Sequence, residues 1–192
     1  MTSPYTYPHP HEHEHPTLTR VSVFTDGSAT NNGAKNARAG VGVHFTDDWL
    51  SDISLPVPPT YRQTNNVAEL LAIKLAILKL CEYYTTLTVG SQLKVTLYTD
   101  SKFAIDCITV WIHNWKRNDW QTSKNKPVEH RELISEIDHL LQQISVEFVH
   151  VRAHKSKPLE KSIEYFNWLG NFKADALAVA GSLDRYTVHG IE

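Results

Sequence analysis

Apolar and polar positions alternate with a two-residue period over residues 19–26, and the run closes on Asp26-Gly27, which predicts a strand entering a turn. A second strand is predicted over residues 40–46, after the Asn31-Asn-Gly33 link, and a short third over residues 50–55, before Pro56, Pro58 and Pro59. The pattern then turns helical. Residues 65–84 are apolar over much of a helix circumference, which predicts a central, largely covered helix. Alternation returns over residues 93–99, ending on Asp100-Ser101, and helical patterns follow over residues 101–117 and 129–143. Residues 145–151 read as a last strand and residues 167–180 as a final helix. The predicted order is β-β-β-α-β-α-α-β-α. The first three strands form an antiparallel meander and the β-α-β crossovers add parallel strands, so the expected fold is α/β, a mixed sheet with helices on its faces. Chemistry in such sheets gathers at the carboxyl ends of strands, near a switch in strand order.

Composition narrows this picture. The chain has 192 residues, 41% hydrophobic and 21% charged, which suits one domain with tails. Residues 1–17 hold four prolines and the alternating His9, His11, His13 and His15, with no apolar period. They offer adventitious metal ligands, but a disordered, solvated tail is the plainer expectation. The expected boundaries are a domain over residues 18–182 and a short tail over residues 183–192. Lys and Arg total 19 against 21 for Asp and Glu, so any nucleic-acid contact must come from local patches. The only cysteines, Cys81 and Cys107, lie in apolar helical patterns and are expected to be buried free thiols, which suits a reducing, intracellular compartment, cytoplasmic or nuclear. The longest apolar stretch, residues 67–80, is broken by Glu69, Lys74 and Lys79, so no membrane span is expected, and the N-terminus lacks the pattern of a secretory signal.

Two strands end alike, in Phe24-Thr-Asp-Gly-Ser28 and in Tyr98-Thr-Asp-Ser101. One such Asp is commonly a turn residue or a helix cap. Two with matching flanks point to a shared crevice above the sheet. Glu69 lies in the first turns of the most apolar helix, where it either favours the helix dipole or belongs to a site, and Asp175 is similarly placed in the last helix. Four carboxylates converging on one point repel one another unless cations neutralise them. Hard, oxygen-seeking Mg²⁺ or Mn²⁺ fits, since no Cys/His spacing suggests zinc. A pair of such ions is a standard device for in-line phosphoryl displacement.

Taken together, Thr25-Asp-Gly-Ser28, Arg62-Gln-Thr-Asn65 leading to Ala68-Glu69, Tyr98-Thr-Asp-Ser101, Val151-Arg-Ala-His154, and Gly170-Asn171 leading to Ala174-Asp175 resemble the type 1 ribonuclease H family, of the cellular type with a basic protrusion, across residues 19–181. The resemblance implies a ribonuclease H-like, five-stranded mixed sheet. It also implies an endonuclease that cuts the RNA strand of RNA–DNA hybrids with two Mg²⁺ ions, Mn²⁺ substituting, to leave 5′-phosphate and 3′-hydroxyl ends. Asp26, Glu69, Asp100 and Asp175 are the implied metal ligands. Asp26 would bridge both ions, Glu69 and Asp100 would complete the nucleophile side, and Asp175 would hold the ion at the leaving group. His154 is implied as an auxiliary catalytic residue. The partner would be the hybrid duplex, met by a monomer.

The resemblance also assigns substrate contacts. Arg62 and Thr64, beside Asn65 at a helix start, would grip a DNA phosphate, and the family's usual Asn in that pocket falls on His130 here. Asn32 and Asn66 would contact the RNA strand and its 2′-hydroxyls, as would Glu69. In the stretch from Trp111 to Lys126, Lys116, Arg117, Lys124 and Lys126 stand against Asp119 alone, interleaved with tryptophans. Phe103 and Trp111 would face the DNA strand, with Trp115 and Trp120 supporting them and Lys116 and Arg117 meeting phosphates. Asn171 completes the assigned contacts. Two departures stand out: Ala153 replaces the family's usual glycine, and the stretch over residues 155–169 is longer than the family norm, basic at its start and apolar at its end. That stretch reads as an added substrate contact, a lid or, most plainly, a tolerated surface insertion. The rival functions are a non-catalytic hybrid-binding domain, which would be expected to have lost a carboxylate, and an enzyme acting on DNA.

Overall fold

The computed structural model describes residues 17–152 and 156–184. The expectations for residues 1–16, for His154 and for residues 185–192 fall outside that range. Five strands form one sheet: β1 (Leu18–Thr30), β2 (Arg38–Phe45), β3 (Ile53–Pro56), β4 (Gln92–Thr99) and β5 (Val146–His150), in the order β3-β2-β1-β4-β5. β1 pairs antiparallel with β2 and β2 with β3, while β1–β4 and β4–β5 are parallel. The expected α/β mixed sheet is what the chain forms, and the switch from antiparallel to parallel falls on β1.

Helix α1 (Asn65–Tyr84) follows the meander and packs across β1 and β2 with α4 (Arg131–Leu140) beside it. Its apolar circumference buries Val67, Leu70, Ile73, Ile77 and Leu80 against Val21, Val23, Val41 and Leu97 of the sheet. Full burial of each such side chain contributes roughly 1.5–3 kcal/mol. The other face of the sheet carries α5 (Ile163–Leu183), which lies against β1, β2 and β3. That approach is close enough to demand glycine: a Cβ on Gly42 would meet the Ala174 carbonyl oxygen at 2.0 Å.

Several boundaries differ from the sequence pattern. β1 does not stop at Asp26 but continues to Thr30, because β2 keeps pairing with it through Thr30↔Arg38; the Asp-Gly pair sits within a strand, not in a turn. The third strand covers only Ile53–Pro56. The pattern over residues 101–117 resolves into α2 (Lys102–Asp106), a π-helical turn (Cys107–Trp111) and α3 (Ile112–Trp115). α4 begins later than the expected 129, since His130 takes a left-handed φ of 62° that no helix interior accepts.

α5 starts at Ile163, four residues before the expected start, with the Ser162 hydroxyl accepting from the Tyr165 N–H at 3.0 Å as its cap. The apolar end of the unusually long stretch over residues 155–169 is therefore helix. Phe166 anchors it edge-on against the stacked rings of Phe24 and Tyr98, at 5.4 and 5.7 Å. At the opposite end of β1, Thr17 is already tied in, its N–H to the Ser91 hydroxyl and its carbonyl to the Gln92 N–H. Among the described residues no helix is long and apolar enough to cross a membrane, and Cys81 and Cys107 are free and buried.

Candidate active site

The parallel ladder between β1 and β4 ends at Thr25↔Thr99. Asp26, still within β1, and Asp100, the first residue past β4, come next, so the topology brings them to one place. Strand alternation turns Asp26 to the α5 face, where Asp175 lies within hydrogen-bonding reach of its carboxyl. Gly27 turns to the other face and has no side chain, so the first turns of α1 close over it: a Cβ there would sit 2.4 Å from the Glu69 backbone N. That approach delivers Glu69. Asp26, Glu69 and Asp100 each offer an oxygen within 4.8 Å of the others.

The cluster is hostile to charge. Asp26 is 6% exposed and Glu69 7%. Burial first, then repulsion from Asp100 and Asp175, raises the Asp26 carboxyl from 3.8 to about 8, against the pull of the Gly27 N–H, which donates to its Oδ1 at 2.8 Å. Burial, then Asp26 and Asp100, pushes Glu69 well above the carboxylate range. Glu69 Oε2 is buried and accepts no hydrogen bond from the described residues. An all-carboxylate donor set with an orphaned buried oxygen fits hard divalent cations of the Mg²⁺ or Mn²⁺ kind.

Asp100 is held from outside the cluster. The Asn171 side-chain amide donates to its Oδ2 at 3.5 Å, and His150 Nε2 contacts its backbone carbonyl at 3.1 Å. The Ser101 hydroxyl caps α2 by accepting from the Ala104 N–H, so Ser101 does the capping and leaves the Asp100 side chain to the cluster.

Beside the carboxylates, the N-terminus of α1 collects several expected substrate residues. The Thr64 hydroxyl accepts from the Val67 N–H as the helix cap, and the Asn32 side chain accepts from the Asn65 N–H at 3.2 Å. Asn65 and Asn66 are exposed on this rim. Arg62 pairs with Glu129 at 3.5 Å, and His130 Nε2 lies 3.8 Å from the same carboxylate. Burial lowers the His130 pKa, with Glu129 opposing and Arg62 adding to the shift.

A groove of about 420 Å³ leads away from this rim, lined by Asn66, Phe103, Trp111, Trp115, Lys124 and Lys126 among others. Phe103 meets Trp111 edge-on at 6.1 Å, and Trp111, Trp115 and Trp120 follow in a row. Its cations are Lys124 and Lys126. Lys116 instead pairs with Asp138 of α4, and Arg117 bonds to the His113 carbonyl and the Asn114 side chain.

The RNase H family model matches residues 19–183. This chain belongs to the ribonuclease H family. It is 35% identical to rat Ribonuclease H1 over 162 residues, covering 84% of this chain and 50% of the rat protein. It is 36% identical to Ribonuclease H of Nitrosomonas eutropha over 165 residues, covering 85% of this chain and 90% of that one. The solution structure of the PFV RNase H domain superimposes with a TM-score of 0.62 at 26% identity, over 84% of this chain and 93% of that domain. The chain thus spans about half the length of the rat relative and most of the bacterial one.

Two contributors to the structure of the site are not apparent from the sequence. Gln63 of the Arg62-Gln-Thr-Asn65 run accepts from the Ala39 N–H through Oε1 and donates through Nε2 toward the Val57, Pro58 and Tyr61 carbonyls, which clamps the entry to α1 onto β2. His150 reaches Asp100 through a backbone carbonyl, for which a sequence carries no signal.

Proposed function

We propose that this ribonuclease H domain hydrolyses the RNA strand of RNA–DNA hybrids by a two-cation mechanism, leaving 5′-phosphate and 3′-hydroxyl ends. The observation that carries this reading is the convergence of Asp26, Glu69 and Asp100 within 4.8 Å, with Asp175 beside Asp26. Those four residues would hold Mg²⁺ or Mn²⁺. When bound, the ions supply an activated water at neutral pH and Lewis-acid stabilisation of the departing oxygen.

The chain's own residues do the rest. Asp26, next to both Asp100 and Asp175, would help to hold both cations. Glu69 and Asp100 would hold the one that supplies the activated water, and Asp175 the one that stabilises the departing oxygen. Asn171 steadies Asp100 from α5. Asn32 and Asn66, on the rim next to Glu69, read the ribose hydroxyls of the strand crossing the carboxylates. Arg62, Thr64, Asn65 and His130 seat a phosphate of the opposite strand, and Phe103 and Trp111 stack on its sugars in the groove, with the cations of the protrusion, Lys116 and Arg117 included, supplying the attractive field. His154 assists turnover.

Asp26→Asn tests the assignment. The variant should stay folded and lose hybrid cleavage in Mg²⁺ by several orders of magnitude, and the products of the native protein should carry 5′-phosphates. A variant with near-native activity, or products ending in 3′-phosphates, would refute it.

A further inference from the structure

The N-terminal half of α5 carries a feature that the hydrolytic site does not use. Tyr165, Trp168 and Phe172 recur at helical spacing on one side of α5. Their rings stand in a ladder, Tyr165–Trp168 at 5.8 Å and 28°, Trp168–Phe172 at 5.4 Å and 14°. One end is closed: the Lys157 ammonium sits 5.5 Å over the Tyr165 ring and is held there by Glu160 at 2.9 Å. At the other end Phe172 is 55% exposed, three residues before Asp175 on the same helix. The ladder is not a loose surface element, because Phe166 pins the same turns onto Phe24 and Tyr98.

We propose that this ring ladder is a stacking platform for single-stranded RNA that continues from the hybrid past the carboxylate site. The inference rests on the hydrolytic reading above, which puts Asp175 on the leaving-group side of the cut strand. The strand running past α5 is then the RNA, and its first unpaired base meets the open face of Phe172. Every base has a π-face, so such a platform adds affinity without sequence preference. Lys161 and Lys173, both exposed on this helix or at its approach, supply positive charge beside it. Continuity with the carboxylate site and these flanking cations favour a nucleic acid over a second copy of the chain.

The test measures equilibrium affinity of the full chain in Ca²⁺, which suppresses cleavage, for a blunt RNA–DNA hybrid and for the same hybrid with a single-stranded extension of roughly eight nucleotides. Extensions are placed on either end of the RNA strand and, separately, on the DNA strand. One RNA extension should tighten binding roughly five- to 150-fold, the worth of one stacked base. The ratio of extended to blunt affinity should fall to near one in Phe172→Leu, which keeps apolar area but no ring, and survive in Phe172→Tyr. A native ratio of one, a ratio untouched by Phe172→Leu, or an equal gain from the DNA extension would overturn the proposal. So would a concentration-dependent dimer abolished by Phe172→Leu, which would assign the face to a second copy. Cleavage of the blunt hybrid in Mg²⁺ is scored alongside. If it fails, the hydrolytic reading falls; if it succeeds and the ratio is one, only the platform falls.

Discussion

Asp26 and Asp100 stand side by side, each one residue past Thr25↔Thr99, the last pair of the parallel β1–β4 ladder. On the far side of β1 the antiparallel ladder continues, pairing Asp26 with Gly42. Asp26 is therefore fixed by one neighbour strand while the other has just ended, and the gap so opened is where the acidic side chains collect. Rigidity and access come from the same arrangement of strands.

Stability of the cation-free protein should fall as pH rises. The folded state keeps the Asp26 proton up to about pH 8, whereas an unfolded Asp gives it up near 3.8. Between those values the folded state binds more protons, so stability is greatest at the acid end of the window and declines through it. Mg²⁺ should restore stability at the upper end by taking the proton's place. Thermal unfolding across this window, with a chelator and with excess Mg²⁺, checks both slopes. Asp26→Asn should flatten the chelator curve and raise stability near neutral pH by at least about 1.4 kcal/mol, the worth of one pK unit.

Gly27→Ala should damage the site more than the fold. Its Cβ would press on the Glu69 backbone N, so the first turns of α1 must back away. A cost of roughly 1–3 kcal/mol is expected from the overpacking. Hybrid cleavage should drop far more than the folded fraction does, and Mg²⁺ should stabilise the variant less than the native chain. Calorimetry with and without Mg²⁺ gives both numbers.

His130→Asn should stabilise the protein. His130 holds φ 62° at the start of α4 and makes no side-chain cap hydrogen bond. Asn visits that backbone region more readily because its short polar side chain hydrogen-bonds locally, so a gain of about 0.5 kcal/mol is expected, or a few degrees in Tm. An unchanged or lower Tm would show that the histidine ring is better accommodated than its backbone suggests.

Gln63→Ala removes one acceptor and one donor group from the clamp between β2 and α1. With the Ala39 N–H left without that partner, a loss of about 1–3 kcal/mol is expected. Hydrogen exchange should show the loss first at Ala39 and at the first turn of α1.

Much of this was legible in the sequence because it is periodic or repeated. The two-residue alternation of β1, β2 and β4 and the apolar girth of α1 marked the sheet and its central helix, and the matching Thr-Asp flanks marked two carboxylates. Positions that depend on another element were not legible. Nothing local tells Asp26-Gly27 that β2 will carry the strand onward to Thr30. Residues 163–166 resemble a surface insertion until Phe24 and Tyr98 are seen to receive Phe166. Lys116 and Arg117 read as cations of the protrusion, and nothing local shows that Asp138, distant in sequence, pairs with the first or that the Asn114 side chain bonds to the second. His154 and the Pro/His-rich tail lie outside the described residues.

The carboxylate cluster is proposed to cut RNA paired to DNA. The most direct measurement offers the chain, in Mg²⁺, three duplexes of one sequence: RNA–DNA hybrid, double-stranded RNA and double-stranded DNA, each strand labelled in turn. Endonucleolytic cleavage of the RNA strand of the hybrid is expected, with its DNA strand and both other duplexes left whole. A folded protein that binds Mg²⁺ yet leaves the hybrid intact, or that cuts the double-stranded DNA as readily, would contradict it.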